Sequence, residues 1–289
     1  MQQAILGVIG GSGVYDFETL QEPKEVRVKT PFGDPSDALV LGELAGVPVA
    51  FLPRHGRGHH ITPSELNSRA NIYAMKSLGV QYIVAISACG SMREDLAPRH
   101  IVVPDQIFDR TKARPSTFFG NGLVVHISFD EPYCALLSDL VYQAVHKTGT
   151  TVHRGGTFLV IEGPQFSTKA ESRVYRQWGV DIIGMTALPE AKLAREAEIC
   201  YATMAHVTDY DVWHATEAPV TVAMLIENLT ANAAVTKQAL MHLAPLVANL
   251  GERRCKCATA LSTAIITQHE LIPAKLKQDL ALLVGRYLK

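Results

Sequence analysis

Short apolar runs that end in glycine or small polar residues alternate with stretches of helical periodicity along most of this chain. That alternation leaves few folds open. Runs buried on both faces pair into a largely parallel or mixed sheet, and the segments between them cover it as helices. Residues 4–9, 38–44, 47–52, 82–87, 156–161, 181–185 and 199–207 read as strands, with 38–44 and 47–52 on either side of an Ala45-Gly46 turn. Helices are expected at 131–148, 169–178, 189–198 and 222–250; Gly149 and Gly179 stop the first two. Another is expected at 62–78, where Thr62 is placed to cap it, Pro63 to begin it and Glu65 to complete a capping box. No repeat, low-complexity tract or linker is evident. One α/β domain spanning 1–289 is expected, with residues beyond Gly251 as an appended extension carrying one more helix near 274–286.

The charge balance then excludes classes of partner. The 289 residues include 27 Lys and Arg against 28 Asp and Glu, a formal net charge of -1. Nothing favours attraction to nucleic acid or to a membrane surface. No apolar run reaches the ~18 residues of a spanning helix. Met1-Gln2-Gln3-Ala4-Ile5 lacks the basic start of a secretory signal. A cytoplasmic protein is expected. Five cysteines are too few for a disulfide scaffold in a chain long enough to bury a large core.

Candidate chemistry collects where the strands end. Gly10-Gly11-Ser12-Gly13 follows the first strand, and its backbone N–H groups and the Ser12 hydroxyl suit an inorganic anion. A tight turn is the plain alternative. The dinucleotide fingerprint it resembles needs a third glycine where Asp16 stands, which argues against a nicotinamide-dependent dehydrogenase. Arg54 and His55 follow the 47–52 strand; an arginine fork there can grip a phosphate with two bonds and His55 can add a donor. His55 and His59 are four apart, but the glycines between them and the lack of other ligands speak against a metal. A solvated basic loop is the alternative. Ser87-Ala88-Cys89-Gly90 sits at another strand's end, where open α/β sheets bind ligands; Cys89 reads as a buried small thiol rather than a nucleophile. Asp209-x-Asp211 can turn both carboxylates into one pocket. Two carboxylates that close do not both ionise cheaply, so one can serve as an acid; a solvated turn is the alternative. Ser12, Arg54, His55, and Ser87 or Thr186 make an anion cradle beside an aromatic wall at Phe166 and a carboxylate pair. That set suits phosphate attacking a sugar carbon while a nitrogen base leaves.

The motifs Gly10-Gly11-Ser12-Gly13, Arg54-His55-Gly56-Arg57, Asn67-x-x-x-Asn71, Ala88-Cys89-Gly90-Ser91, Glu162-Gly163-Pro164-x-Phe166-Ser167, Met185-Thr186-x-x-Pro189-Glu190 and Thr208-Asp209-Tyr210-Asp211 resemble the 5′-methylthioadenosine phosphorylases. These are members of the trimeric purine nucleoside phosphorylase branch. The resemblance is collinear from residue 5 to about 250. It implies a phosphorylase/hydrolase-like three-layer α/β/α fold with a central mixed sheet. It also implies phosphorolysis of methylthioadenosine to adenine and 5-methylthioribose 1-phosphate, with inorganic phosphate as co-substrate and no metal or organic cofactor.

Carried over by position, Ser12, Arg54, His55, Ser87, Ala88 (backbone) and Thr186 hold phosphate. Met185 lies under the ribose, and Phe166 and Ser167 line the purine site. Asp209 and Asp211 face the purine N7 and 6-amino edge, and Val222 and Leu225 face the 5′-methylthio group. His126 comes from a neighbouring subunit of a trimer or dimer of trimers, with Phe118 and Phe119 near that boundary. Relatives acting on 6-oxopurines tend to have Asn at the position of Asp209, so the aspartate favours an aminopurine; broader nucleoside specificity and a non-catalytic purine-binding module are the rival readings. Some members carry Asn where Gly184 stands. The extension resembles longer archaeal-type members, in which Cys255-x-Cys257 looks like a redox pair; Cys134 and Cys200 lie in segments that could meet as a second disulfide, and five reduced thiols are the alternative.

Overall fold

The computed structural model describes residues 3–10, 20–214 and 222–288, and no side-chain description extends to 222–227 or 229–231. Eleven strands form one mixed sheet: β1 (Leu6–Gly10), β2 (Gln21–Val26), β3 (Leu39–Leu44), β4 (Val47–Pro53), β5 (Tyr82–Ser91), β6 (Ile101–Val103), β7 (Gln106–Arg110), β8 (Val152–Arg154), β9 (Thr157–Ile161), β10 (Ile182–Gly184) and β11 (Cys200–Asp209). Helices α1 (Ser68–Ser77), α2 (Ala135–His146), α3 (Lys169–Gln177), α4 (Ala187–Glu196) and α5 (Val222–Ala248) cover it, and short helices α6 (Ala274–Asp279) and α7 (Ala281–Val284) follow. Two large apolar clusters, one built round Ile72, Met75 and Leu193 and one round Leu137, Val141 and Leu243, pack against the sheet. The three-layer mixed-sheet architecture matches the fold expected from the sequence.

β5 organises the sheet. Its first half pairs in parallel with β1, from Leu6 opposite Tyr82 to Ile9 opposite Ala85. Where β1 ends, β10 takes over the same edge in the antiparallel sense at Gly90 and Ser91. β11 runs parallel along the other edge for the full length of β5. A strand that changes neighbour near its carboxyl end opens a crevice there, and open α/β sheets bind ligands at such points.

Several expectations need correction. Thr62, Pro63 and Glu65 do not start a helix. Glu65 accepts from the Thr62 amide and hydroxyl within a turn, and α1 begins six residues later under an Asn67 cap. Only the Glu65 half of the capping box forms, because the Thr62 hydroxyl donates to Glu65 instead of accepting from its amide; the apolar periodicity that would extend a helix is missing from 62–67. The 82–87 strand continues to Ser91 because β10 and β11 both have partners for it there. The 274–286 helix is two helices broken at Leu280. Four strands went unexpected: β2, β6, β7 and β8. β2 and β7 are mostly exposed and polar, so no apolar run announces them. Phe118 and Phe119 are buried in the chain's own core and form no surface patch.

The extension is fastened to the body at Glu198. Its carboxylate accepts from the Leu261 amide and the Tyr287 hydroxyl and pairs with Arg286. Farther along, Val125 bridges Ile265, and the His126 amide donates to the Ala264 carbonyl. At the end of α4, Glu196 accepts from the Phe118 amide and the Thr117 hydroxyl while almost fully buried. Burial pushes its carboxyl from 4.5 to about 7. The neutral form is therefore the one the fold favours: its stabilisation is complete below pH 4.5 and is lost as pH rises through about 7. That displacement corresponds to about 3 kcal/mol. Glu196→Gln should be more stable than the wild type at pH 8 and should show a flatter Tm profile between pH 5 and 8. Parallel Tm profiles for the two proteins would contradict this assignment.

Candidate active site

The anion end of the crevice is built round Arg54, which follows β4 and is 1% exposed. Its guanidinium Nε lies 2.5 Å from Glu190 Oε1 and its Nη2 3.2 Å from Oε2. Nη1 donates to the Ile86 carbonyl at 2.9 Å and Nη2 to the Ile9 carbonyl at 3.4 Å. One side chain thus ties the ends of β1 and β4 and the middle of β5 to α4. The two-toothed grip read from the sequence as a phosphate clamp closes instead on Glu190. Arg54 supplies fixed positive charge beneath the site, and the carboxylate holds it there. Glu190 also accepts from the Tyr201 hydroxyl of β11 at 2.9 Å.

Beside Ile86 is Ser87, whose Oγ sits 2.9 Å from Thr186 Oγ1. Thr186 occupies the capping position of α4 without spending its side chain on the helix. Two hydroxyls at a helix N-terminus are of the kind that suits an anion. Ala88 follows Ser87 within β5. His55 Nδ1 lies 2.8 Å from the Ile61 carbonyl. A carbonyl only accepts, so Nδ1 carries the proton. Burial, and after it the charge of Arg54, hold the ring's pKa down to about 4. His55 is therefore neutral near pH 7, with Nε2 an acceptor, rather than the donor expected from the sequence. The His59 ring stacks on it at 4.3 Å. Ser12 falls outside the described residues; β1 ends at Gly10, which is in register with Pro53, next to Arg54.

Three residues further along β5, about 10 Å, is the other end of the crevice. The pairing of β11 shifts between Val207 and Asp209, so that Asp209 stands opposite Gly90. Bulges of this kind re-aim side chains beside active sites. Asp209 Oδ1 accepts from the Asp211 amide at 2.8 Å, and Oδ2 lies 2.7 Å from Thr208 Oγ1. The same hydroxyl is 3.2 Å from the Cys89 carbonyl. A hydroxyl has one proton to give. A protonated Asp209 satisfies both contacts, donating to Thr208 while Thr208 donates to Cys89. Burial raises the pKa of Asp209 and of Asp211 above the ordinary carboxylate range. Asp211 Oδ2 is buried without a hydrogen-bond partner, as is Ser167 Oγ.

Two further loops carry Met185, Phe166 and Ser167. Gly163 has a positive φ of 67°, and a Cβ there would stand 2.5 Å from Met185 Sδ, so the glycine lets the thioether reach into the crevice. Phe166 is 43% exposed and borders a cleft with Arg110, Lys112, Ser167 and Tyr175. Gly184 has no room for a side chain: a Cβ would meet the Phe158 ring at 2.8 Å. Val222 and Leu225 lie in α5, but their side chains fall outside the described residues. His126 is exposed on a segment paired with the extension. The sequence did not single out Arg114. It donates to the carbonyls of Met185 and Leu188 at 2.5 and 2.7 Å and to that of Glu162 at 2.6 Å, holding both loops together. Glu190 stands in a motif quoted above, but no spacing rule paired it with Arg54.

Gly90 tests how closely the acidic end is fitted. An added Cβ would lie 2.9 Å from Asp209 Oδ1 and 3.1 Å from Ile183. Gly90→Ala should therefore displace Asp209 and lower kcat/KM by on the order of 10²-fold, while circular dichroism shows a retained fold. Full activity in that variant would mean that the position of Asp209 is not critical.

Comparison with known proteins agrees with this geometry. Residues 5–245 match the family model of the phosphorylase superfamily. The chain is 56% identical over 289 residues to the S-methyl-5′-thioadenosine phosphorylase of Chloroflexus aurantiacus, with 99% of each chain covered. It is 54% identical over 286 residues to that of Geobacter sulfurreducens, again with 99% of each covered. A methylthioadenosine phosphorylase structure from an antarctic soil metagenomic library superposes with a TM-score of 0.93 at 49% identity, covering 98% of this chain and 99% of that one. The Schistosoma mansoni methylthioadenosine phosphorylase in complex with adenine gives 0.83 at 35% identity, covering 98% of each. The chain belongs to the phosphorylase superfamily and, within it, to the S-methyl-5′-thioadenosine phosphorylases.

Proposed function

We infer that this protein catalyses the phosphorolysis of S-methyl-5′-thioadenosine to adenine and 5-methylthioribose 1-phosphate. The observation that carries the reading is the spacing on β5: an anion surface at Ser87 and Thr186, and a protonatable carboxyl three residues further on. That separation accommodates one sugar ring between a phosphate and a base. The relatives named above support the choice of nucleoside.

The C1′–N9 bond breaks with oxocarbenium character, as in glycoside hydrolysis. Phosphate held at Ser87, Thr186, the Ala88 backbone and Ser12 bonds to C1′, while the electron pair of the broken bond passes to the purine. The neutral His55 accepts a hydrogen bond from the hydroxyl of a protonated phosphate, which leaves a bare oxygen for C1′. Asp209 donates to N7, so that the base leaves neutral. Asp211, with an unpaired oxygen, receives the 6-amino group. Met185 lies under the ribose, Phe166 and Ser167 cover the purine, and Val222 and Leu225 face the methylthio group. Phosphate is itself the nucleophile and Asp209 the acid, so the reaction needs no metal or organic cofactor at its centre.

The enzyme works as a trimer or a dimer of trimers in which His126 enters a neighbour's site. The support is the resemblance together with the exposure of His126 on a segment pinned by the extension. A cytoplasmic setting fits the chemistry. Among the described residues no helix is long and apolar enough to cross a membrane.

Asp209→Asn should lower methylthioadenosine turnover by about 10²–10⁴-fold, the range for loss of a general acid. Inosine and methylthioinosine should lose less or gain, because an amide cannot deliver a proton but still pairs with a 6-oxo edge. Equal, small losses on all three substrates would show that Asp209 neither protonates nor selects the base. Wild-type activity on adenosine or inosine equal to that on methylthioadenosine would favour the broader-specificity reading.

Sedimentation equilibrium should give a trimer or hexamer, and His126→Ala should weaken methylthioadenosine binding without dissociating it. An active monomer would contradict the shared site.

A further inference from the structure

Far apart in sequence, Cys134, Cys200, Cys255 and Cys257 come together in the fold, with their sulfur atoms all within 4.8 Å of one another. The arrangement differs from the two separate pairings considered from the sequence. All five cysteines of the chain are free. The 3.2 Å approach of Cys200 to Cys255 joins one member of each expected pair. Cys134, Cys200 and Cys257 are buried, and Cys255 is half-buried.

Four convergent sulfurs match one particular coordination. A tetrahedral tetrathiolate zinc site, with Zn–S near 2.3 Å, places its sulfurs about 3.8 Å apart. A multi-iron cluster spreads its four cysteines round a larger body, wider than this group allows. The surroundings also suit thiolates. Cys134 caps α2 without using its side chain as the cap, so its sulfur stands at a helix N-terminus. The Cys257 amide donates to the Cys255 sulfur, and the Arg195 guanidinium acts on Cys257. Arg253, Arg254 and Lys256 flank the Cys-x-Cys pair in sequence. The Arg195 charge offsets part of the double negative charge that a zinc ion with four thiolates carries.

We propose that Cys134, Cys200, Cys255 and Cys257 bind one zinc ion that fastens the C-terminal extension to the body of the enzyme. The thiol protons pass to solvent as the metal binds. Cys200 opens β11, Cys134 precedes α2, and Cys255 precedes a 3₁₀ turn at Lys256–Thr259. The ion therefore joins the extension to the sheet and to one of its covering helices. The extension in turn pairs with 124–126. The site is structural: it completes four ligands and leaves no position for substrate.

The test is metal analysis of the full-length protein, expressed in zinc-containing medium and purified with a reductant but no chelator. About one zinc per chain is expected by mass spectrometry. It should be released to a chromogenic chelator when the thiols are titrated with a mercurial. Cobalt substitution should give the visible spectrum of a tetrahedral tetrathiolate. Cys255→Ser/Cys257→Ser should lose the metal, lower Tm by on the order of 10 °C, and raise hydrogen exchange in 255–288 and 124–126. Metal-free wild-type protein overturns the proposal, whether its cysteines then titrate as thiols or prove to be two disulfides. So does zinc that survives the double substitution.

Discussion

The buried pair of Arg54 and Glu190 is the joint on which the site depends. Both side chains are 1% exposed, and removing either leaves a buried charge without its partner, at about 3–5 kcal/mol. Apolar residues of the same volume would hold the core as well or better, so stability alone does not explain an ion pair here. Position does. The guanidinium also reaches the carbonyls of Ile9 and Ile86, so its charge is fixed relative to the end of β1 and the middle of β5, and Glu190 fixes it relative to α4. The hydroxyls of Ser87 and Thr186 meet because those same elements are held together. On the proposed reading, a phosphate entering the crevice finds its donors already placed, and little of the binding free energy goes into arranging them.

Burial acts in the same sense at both ends of the crevice, disfavouring the charged form of each group. At the anion end, burial and the charge of Arg54 keep His55 neutral. At the base end, burial keeps a proton on the carboxyl of Asp209 when exposed carboxylates have lost theirs. Perturbed groups facing one cleft are the signature of acid–base chemistry. The acid is needed only where negative charge develops on the departing purine. The positive charge is needed where phosphate waits beneath the sugar. β5 separates the two by three residues, and the β11 bulge aims the carboxyl.

The sequence made this arrangement legible unevenly. Buried strands such as β5 and β11 are continuous apolar runs, so they and the small polar residues at their ends could be read directly. β2 and β7 could not, because exposed polar edge strands have no apolar period. Thr62 and Glu65 showed real capping chemistry that closes only a turn. Arg54 was found, but its partner was not: Glu190 lies 136 residues away, and no local rule spans that distance. Arg114 joins two loops through backbone carbonyls, which carry no side-chain signature. The four cysteines likewise become one cluster only after β11 is set beside α2. His55 was assigned a donor's role from its residue type; burial and the Ile61 carbonyl make its outward nitrogen an acceptor.

Phosphorus NMR of a reaction containing methylthioadenosine and inorganic phosphate, with adenine followed in the same tube, tests the central claim most directly. If phosphate is the nucleophile, each adenine released consumes one inorganic phosphate and yields one sugar 1-phosphate resonance. Adenine released with inorganic phosphate unchanged, and methylthioribose formed in its place, would show that water rather than phosphate attacks C1′.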